Sequence, residues 1–237
     1  MRPRLVTFDA FDTLFTPHPA VHVQYARVAQ SFGVHVDPMT VQESFKSAFK
    51  AMSARAPNYG KHLGMRYETW WEELIENLFS MHTRAVPPGL APALVERFNG
   101  RGYRLFSDVE ETLRRMDGWR GKVKIGILSN SDPRVPQILE THGIRKHFDI
   151  ISLSYDSYAK PDRRIFDHTV RVADVSAGEC LHVGDDLVND YHAALHAGWQ
   201  AVYLDRQGLC TDDSIASIRR LEQVLDIVHA GDGLPVA

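Results

Sequence analysis

Five short apolar runs, each four to six residues long, punctuate this 237-residue chain: Leu5–Phe8, Val123–Leu128, Phe148–Leu153, Cys180–Val183 and Ala201–Leu204. Runs of that length, bounded by turn-forming residues, read as buried strands. After the first run the spacing between them is helical. Asp108 can cap a helix to Met116, and Asp132-Pro133 starts one ending near Gly143. Pro161 opens a third, carrying Ile165, Phe166, Thr169, Val170 and Val172, and Leu187–His196 is a fourth, closed by Gly198. A last helix is expected over Ile215–Val228, followed by a loose tail, Ala230–Ala237. Strands alternating with helices demand right-handed crossovers, so the fold class is α/β with a parallel sheet.

One stretch breaks the rhythm. Val21, Tyr25, Val28, Ala29 and Phe32 recur at helical spacing, as do Val41, Phe45, Ala48, Phe49 and Met52. The second set follows Asp37-Pro38, an N-cap with proline at the first helical position. Tyr67, Trp70, Trp71, Leu74 and Leu78 form a third stripe; Leu90, Leu94 and Phe98 form a fourth, introduced by Pro87-Pro88-Gly89. Nothing between residues 16 and 105 reads as a buried strand. The segment is a helical insertion, with its exit at Arg101-Gly102-Tyr103.

Composition narrows the classes of function. A 44% hydrophobic content supports a full core. The net charge is −3 with no basic block, which argues against a nucleic-acid partner. Cys180 in a strand and Cys210 in a polar loop suit a reduced, intracellular protein rather than a disulfide framework. The first strand begins too early for a presequence, and no apolar run nears the roughly 20 residues that span a bilayer. A cytoplasmic protein without a membrane partner is expected; oligomeric state is open.

Chemistry gathers at the ends of the strands. Asp9 follows the first run, Ser129 with Asn130 the second, Lys160 the third, and Asp185, Asp186 and Asp190 the fourth. Parallel α/β sheets place their ligand site at the carboxyl ends of the strands. These marks therefore converge on one pocket rich in carboxylates with one lysine, suited to a divalent cation and a small anionic substrate. Taken singly, each has a bland reading. Asp9 can be a turn aspartate, Ser129 part of an ordinary Ser-Asn loop, and Lys160 an exposed lysine. The acids after Gly184 can favour a helix N-terminus. That last reading explains one or two acids and poorly explains three. Asp186 and Asp190 are four apart and share a helix face, where like charges need a cation or a lysine. Oxygen-only ligation favours Mg2+. His192 and His196 have zinc-pair spacing but no third ligand. Trp70 and Trp71 are better read as core than as a recognition surface. No G-x-G-x-x-G turn follows the first strand, so a dinucleotide site lacks its phosphate cradle.

In this order the marks resemble the haloacid dehalogenase (HAD) superfamily over nearly the whole chain. Asp9-Ala10-Phe11-Asp12-Thr13-Leu14 is similar to its first motif and Ser129 to its second. Lys160-Pro161 is similar to the third, and Gly184-Asp185-Asp186 through Asp190 to the fourth. The insertion is similar to the family's α-helical C1-type cap, and Trp70-Trp71 resembles a eukaryotic dehalogenase-like subgroup. The resemblance implies a Rossmann-like three-layer core of strand order 5-4-1-2-3, formed by 1–15 and 106–237, with 16–105 as the cap. It implies Asp9 as nucleophile, Thr13 and Ser129 as oxygen-binding groups and Lys160 as the neutralising cation. Asn130 and Asp12 would be substrate-binding. Mg2+ would lie between Asp9, the backbone carbonyl of Phe11 and Asp185, with Asp186 or Asp190 supporting. One departure matters: the family's phosphatases carry a general acid–base aspartate where this chain has Phe11. The reading is a Mg2+-dependent hydrolase of a small phosphate ester, weakened by Phe11. The alternatives are a metal-free 2-haloacid dehalogenase, and a catalytically weak family member used for binding or regulation.

Overall fold

The computed structural model describes residues 2–230. The chain opens with β1 (Leu5–Phe8) and β2 (Phe15–Pro17), then runs through four helices, α1 (Val21–Ser31), α2 (Pro38–Arg55), α3 (Tyr67–Ser80) and α4 (Leu90–Arg97). It continues with β3 (Tyr103–Leu105), α5 (Val109–Met116), β4 (Lys124–Ser129), α6 (Val135–Thr141), β5 (Ile150–Leu153) and α7 (Arg163–Ala173). Then come β6 (Cys180–Gly184), a π-helical turn (Leu187–His192) running into α8 (Ala193–His196), β7 (Gln200–Leu204), β8 (Ser217–Ile218) and α9 (Val224–Ala230). Beyond Ala230, which ends α9, the expected tail lies outside the described residues.

Six strands form one sheet in the order β5-β4-β1-β6-β7-β8, parallel at every pairing. The five expected strands follow the order 5-4-1-2-3 when counted from the β7 side. The fold class is α/β, as expected. β1 is central: Leu5 pairs with Lys124 on one side and Cys180 on the other. All four of its residues are buried, as a strand covered on both faces requires. Phe166 of α7 meets Trp199 edge-on at 5.2 Å, within a cluster that includes Leu5, Leu128, Ile165, Cys180 and Ala201. Because the strands run parallel, Asp9, Ser129 and Gly184 come out at the same end.

Several local expectations change. The helix expected from Ile215 does not form there. Instead β8 adds to the sheet edge, with Tyr203 N–H donating to the Ala216 carbonyl and Asp205 N–H to that of Ile218. Asp108 does not cap α5. Its carboxylate takes two bonds from Arg206, at 2.9 and 3.1 Å, and the Leu221 N–H at 2.8 Å. Asp37 does cap α2, accepting from the N–H groups of Met39 and Thr40.

The chain divides into two compact units. The sheet unit holds the N-terminal stretch to Thr16, Leu105–Ser131 and the chain from His142 onward; the helical unit holds Pro17–Arg104 and Asp132–Thr141. Within the helical unit α1 packs on α2 and α4, and α3 on both of those. Trp70 is buried there, its indole N–H bonded to the Ala56 carbonyl at 2.9 Å. Trp71 is half-buried and explains why 132–141, expected in the core, groups with the helices. Its N–H donates to Asp132 at 2.8 Å, and the Arg134 guanidinium lies 4.4 Å from its ring centroid. At the ends of the insertion, where no strand was expected, β2 and β3 form a separate two-stranded sheet. Each is only three residues long, too short for a periodicity to register. No helix among the described residues is long and apolar enough to cross a membrane.

Candidate active site

A recess of about 170 Å³ lies at the carboxyl end of the sheet, lined by Asp9, Phe11, Ser129, Asn130, Lys160, Asp185, Asp186, Asn189 and Asp190. Each residue arrives from the end of a strand or the turn after it. Asp9 leaves β1 with its N–H still bonded to the Val183 carbonyl of β6, so its backbone is an extension of the sheet. Asn130 clasps the backbone of Lys160 through two bonds, donating to its carbonyl at 2.8 Å and accepting its N–H at 2.7 Å. That clasp carries the lysine to the centre of the recess. Its ammonium donates to Asp9 Oδ1 at 2.7 Å, Asp190 Oδ1 at 2.5 Å and the Leu128 carbonyl at 2.9 Å.

The fourth motif folds unexpectedly. Asp186 is exposed and caps the π-helical turn, accepting from the N–H groups of Val188 and Asn189. The N–H groups of Asp190 and Tyr191 both bond to the Asp186 carbonyl, and this widened turn carries Asp190 back toward the strand end. There its Oδ2 accepts the Asp186 N–H at 3.0 Å. A methyl group on Gly184 would overlap the Asp190 carboxylate. The glycine is therefore needed for close approach rather than for a left-handed turn.

Two expected site residues are placed elsewhere. Thr13 is buried behind Asp185, donating its hydroxyl to Asp185 Oδ1 at 2.9 Å instead of facing the recess. Asp12, at φ +54°, accepts from the Thr16 hydroxyl and lines a neighbouring cleft with Asp185 and Arg206. It is not among the residues lining the recess. Phe11 does line it, with its ring edge-on to Phe15 at 5.0 Å. His192 and His196 are both exposed and do not share a ligand position; His196 Nδ1 bonds to the His192 carbonyl. Sequence reasoning missed Thr7 and His182, polar residues inside β1 and β6 that are buried directly opposite each other. The signal was present, since a polar residue inside a buried strand needs a partner.

The electrostatics are those of a site with surplus negative charge. Oxygens of Asp9, Asp185 and Asp190 lie within 4.8 Å of one another. Burial works against the Asp190 charge, but Lys160 and the His182 hydrogen bond outweigh it and hold this carboxyl well below the usual range. Burial likewise opposes the Lys160 charge; attraction to Asp9 and Asp190 outweighs it and pushes the ammonium up. Asp9 goes the other way: burial raises it, Lys160 opposes and Asp190 adds to the rise. Asp185 is pushed up to about 6, by burial and by the charges of Asp9, Asp190 and Asp12, against the Thr13 hydrogen bond. Burial disfavours the charged form of His182 and lowers it from the usual imidazole range, against the pull of Asp190. One ammonium thus serves two of three clustered carboxylates, and Asp9 and Asp185 are both raised by burial and by their negative neighbours. The donors are all oxygens, which fits a hard divalent cation.

This arrangement has relatives. A family profile described as haloacid dehalogenase-like hydrolase matches residues 3–198. The chain belongs to this family. A hydrolase of Schizosaccharomyces pombe is 37% identical over 210 residues, covering 85% of this chain and 90% of that protein. Haloacid dehalogenase-like hydrolase domain-containing protein 3 of Danio rerio is 35% identical over 209 residues, 86% of each chain. Among solved structures, a magnesium-bound HAD-hydrolase of Bacillus subtilis superposes with a TM-score of 0.72 at 20% identity, covering 97% of this chain and all of that one. A 2-haloacid dehalogenase of Pseudomonas syringae reaches 0.71 at 22% identity, with the same coverage. These two likenesses are likenesses of fold.

Proposed function

We propose that this HAD-like hydrolase is a Mg2+-dependent phosphohydrolase acting on a small phosphate ester, with Asp9 as nucleophile. The observation that carries the reading is the charge count in the recess, where Asp9, Asp185 and Asp190 face the single ammonium of Lys160. Asp9, Asp185 and the Phe11 backbone carbonyl would hold Mg2+, with Asp190 behind them; Asp186 is occupied as a helix cap. When bound, the cation supplies Lewis-acid polarisation and neutralises phosphoryl charge. The Asp9 carboxylate attacks phosphorus in line. The bond from phosphorus to the leaving oxygen breaks, its electron pair stays with that oxygen, and an aspartyl-phosphate forms. Lys160 draws negative charge away from Asp9 and the phosphoryl oxygens, with Ser129 beside them as a further donor. Water then attacks the same phosphorus, the bond from phosphorus to the Asp9 oxygen breaks with its electron pair returning to the carboxylate, and the proton of the water passes to the released phosphate or to solvent. The helical unit takes the role of the family's substrate-selecting cap. Two free cysteines suit a reducing compartment, which favours the cytoplasm.

Phe11 is the weak point, because it cannot protonate a leaving group. The favoured substrates are those whose leaving group departs without help, such as aryl phosphates. The test is phosphate release from an aryl phosphate, with and without Mg2+, beside halide release from a 2-haloacid. Mg2+-dependent phosphate release is expected. Halide release without metal would establish the dehalogenase alternative, in which Asp9 attacks carbon. No turnover of either class, with Mg2+ bound, would leave a binding or regulatory protein.

A further inference from the structure

We infer that Thr7 and His182 are a positioning pair that holds Asp190, and through it the Lys160 ammonium, in the place the nucleophile requires. The catalytic half of this inference rests on the proposed phosphohydrolase; the hydrogen-bond order does not. Thr7 and His182 face each other in register on the parallel strands β1 and β6, and both are buried. Buried polar groups are costly unless paired, and these two are paired in series. Thr7 Oγ1 lies 2.8 Å from His182 Nδ1, and His182 Nε2 lies 3.1 Å from Asp190 Oδ1. The same oxygen takes the Lys160 ammonium, which reaches on to Asp9.

The order of donors follows from chemistry. An ionised carboxylate only accepts, so Nε2 must carry the ring proton. Nδ1 is then the acceptor, and the Thr7 hydroxyl must donate to it. In the other tautomer an Nε2 lone pair would face Asp190 Oδ1. Thr7 would then have to turn its hydroxyl to the Leu181 carbonyl, a longer contact at 3.5 Å. Asp190 therefore sets the tautomer, and the Thr7 hydroxyl supplies the ring's second hydrogen bond and holds its orientation. With His182, Lys160 and the Asp186 N–H all donating to it, the Asp190 carboxylate has no freedom to swing. The ammonium is fixed in turn between Asp9, Asp190 and the Leu128 carbonyl. Such pre-arranged charge needs no reorganisation when phosphoryl charge develops. A histidine that merely filled the core would make the same contacts without affecting turnover, and that difference is measurable.

The first measurement is 15N NMR of the full-length protein labelled at the histidine rings. The Nε2-protonated tautomer is expected for His182 in the wild type; Thr7→Val should keep it but shift the Nδ1 resonance, which loses its hydrogen-bond donor. An Nδ1-protonated His182 in the wild type overturns the inference, whatever the activity. The second is aryl phosphate turnover with Mg2+. Loss of one net hydrogen bond predicts a kcat about tenfold lower in Thr7→Val, with KM little changed. Thr7→Ser, which keeps the hydroxyl, should restore it. Thr7→Val replaces the hydroxyl by a methyl of similar shape, and circular dichroism checks that it folds. A folded Thr7→Val with wild-type kcat overturns the positioning role and leaves a core histidine. A wild type inactive on every phosphate sinks the proposed function instead. The pair is then judged by the tautomer and by the Lys160 15Nζ signal, which should broaden in Thr7→Val; an unchanged signal overturns it.

Discussion

Gly184 is the position where one methyl group would do most harm. Asp190 lies against its Cα, and three donors prevent the carboxylate from yielding. Overpacking of this kind costs about 1–3 kcal/mol, so Gly184→Ala should unfold at lower urea concentration. It should also lose turnover under conditions where it is still folded; wild-type stability would mean that Asp190 can move aside. The nucleophile and its missing proton donor make a sharper pair. Asp9→Asn should abolish phosphate release. General acid–base help is typically worth about 10²–10⁴-fold, so Phe11→Asp should raise turnover of alkyl phosphates more than of aryl phosphates. A folded variant with no selective gain, beside a wild type already efficient on alkyl phosphates, would point to another proton source. Asp12 is poorly placed for that task, since its carboxylate is bonded to Thr16 and lines the adjoining cleft.

At the scale of elements, the π-helical turn separates two neighbouring acids that look alike in sequence. Asp186 caps the turn, and Asp185 joins the carboxylate cluster. Asp186→Ala should therefore cost about 1 kcal/mol of stability yet keep a Mg2+-induced rise in melting temperature. Asp185→Asn should keep the cap and lose the rise. Equal behaviour of the two variants in thermal melts would contradict this division of labour. The five principal strands were legible because each is largely buried, leaving a short run in which apolar residues dominate. What was not legible was set by partners distant in sequence. Asp108 resembles a helix cap locally, but Arg206 and the Leu221 N–H claim its carboxylate. Ser217 and Ile218 join the sheet because β7 offers them an edge, a fact no window around residue 217 contains. In the site, Asp9, Ser129, Lys160 and Asp185 could be read from strand ends alone. Thr7 and His182 could not, because their pairing depends on which strands lie side by side.

For the molecule as a whole, the carboxylate cluster links stability, protons and metal. The folded-state value of Asp185, about 6, lies above its ordinary value of 3.8. Its contribution in metal-free protein is thus fully present below about pH 4 and is lost as pH rises through about 6. Asp190 is shifted downward and works the opposite way, losing its contribution as the pH falls. A cation competes with the Asp185 proton. The Mg2+-induced rise in melting temperature should therefore be small at pH 5 and larger at pH 7.5, and Asp185→Asn should remove that dependence; a rise equal at both values would detach the metal from this cluster. The brevity of β8 has a further consequence. Without it, the outer edge of β7 would offer a row of unpaired backbone groups to any passing strand. Two residues cover the carboxyl end of that row, at Tyr203 and Leu204, and are too few to offer a new one of useful length. A short patch of chain thus leaves the carboxyl end of the sheet's edge with little backbone for another chain to pair with.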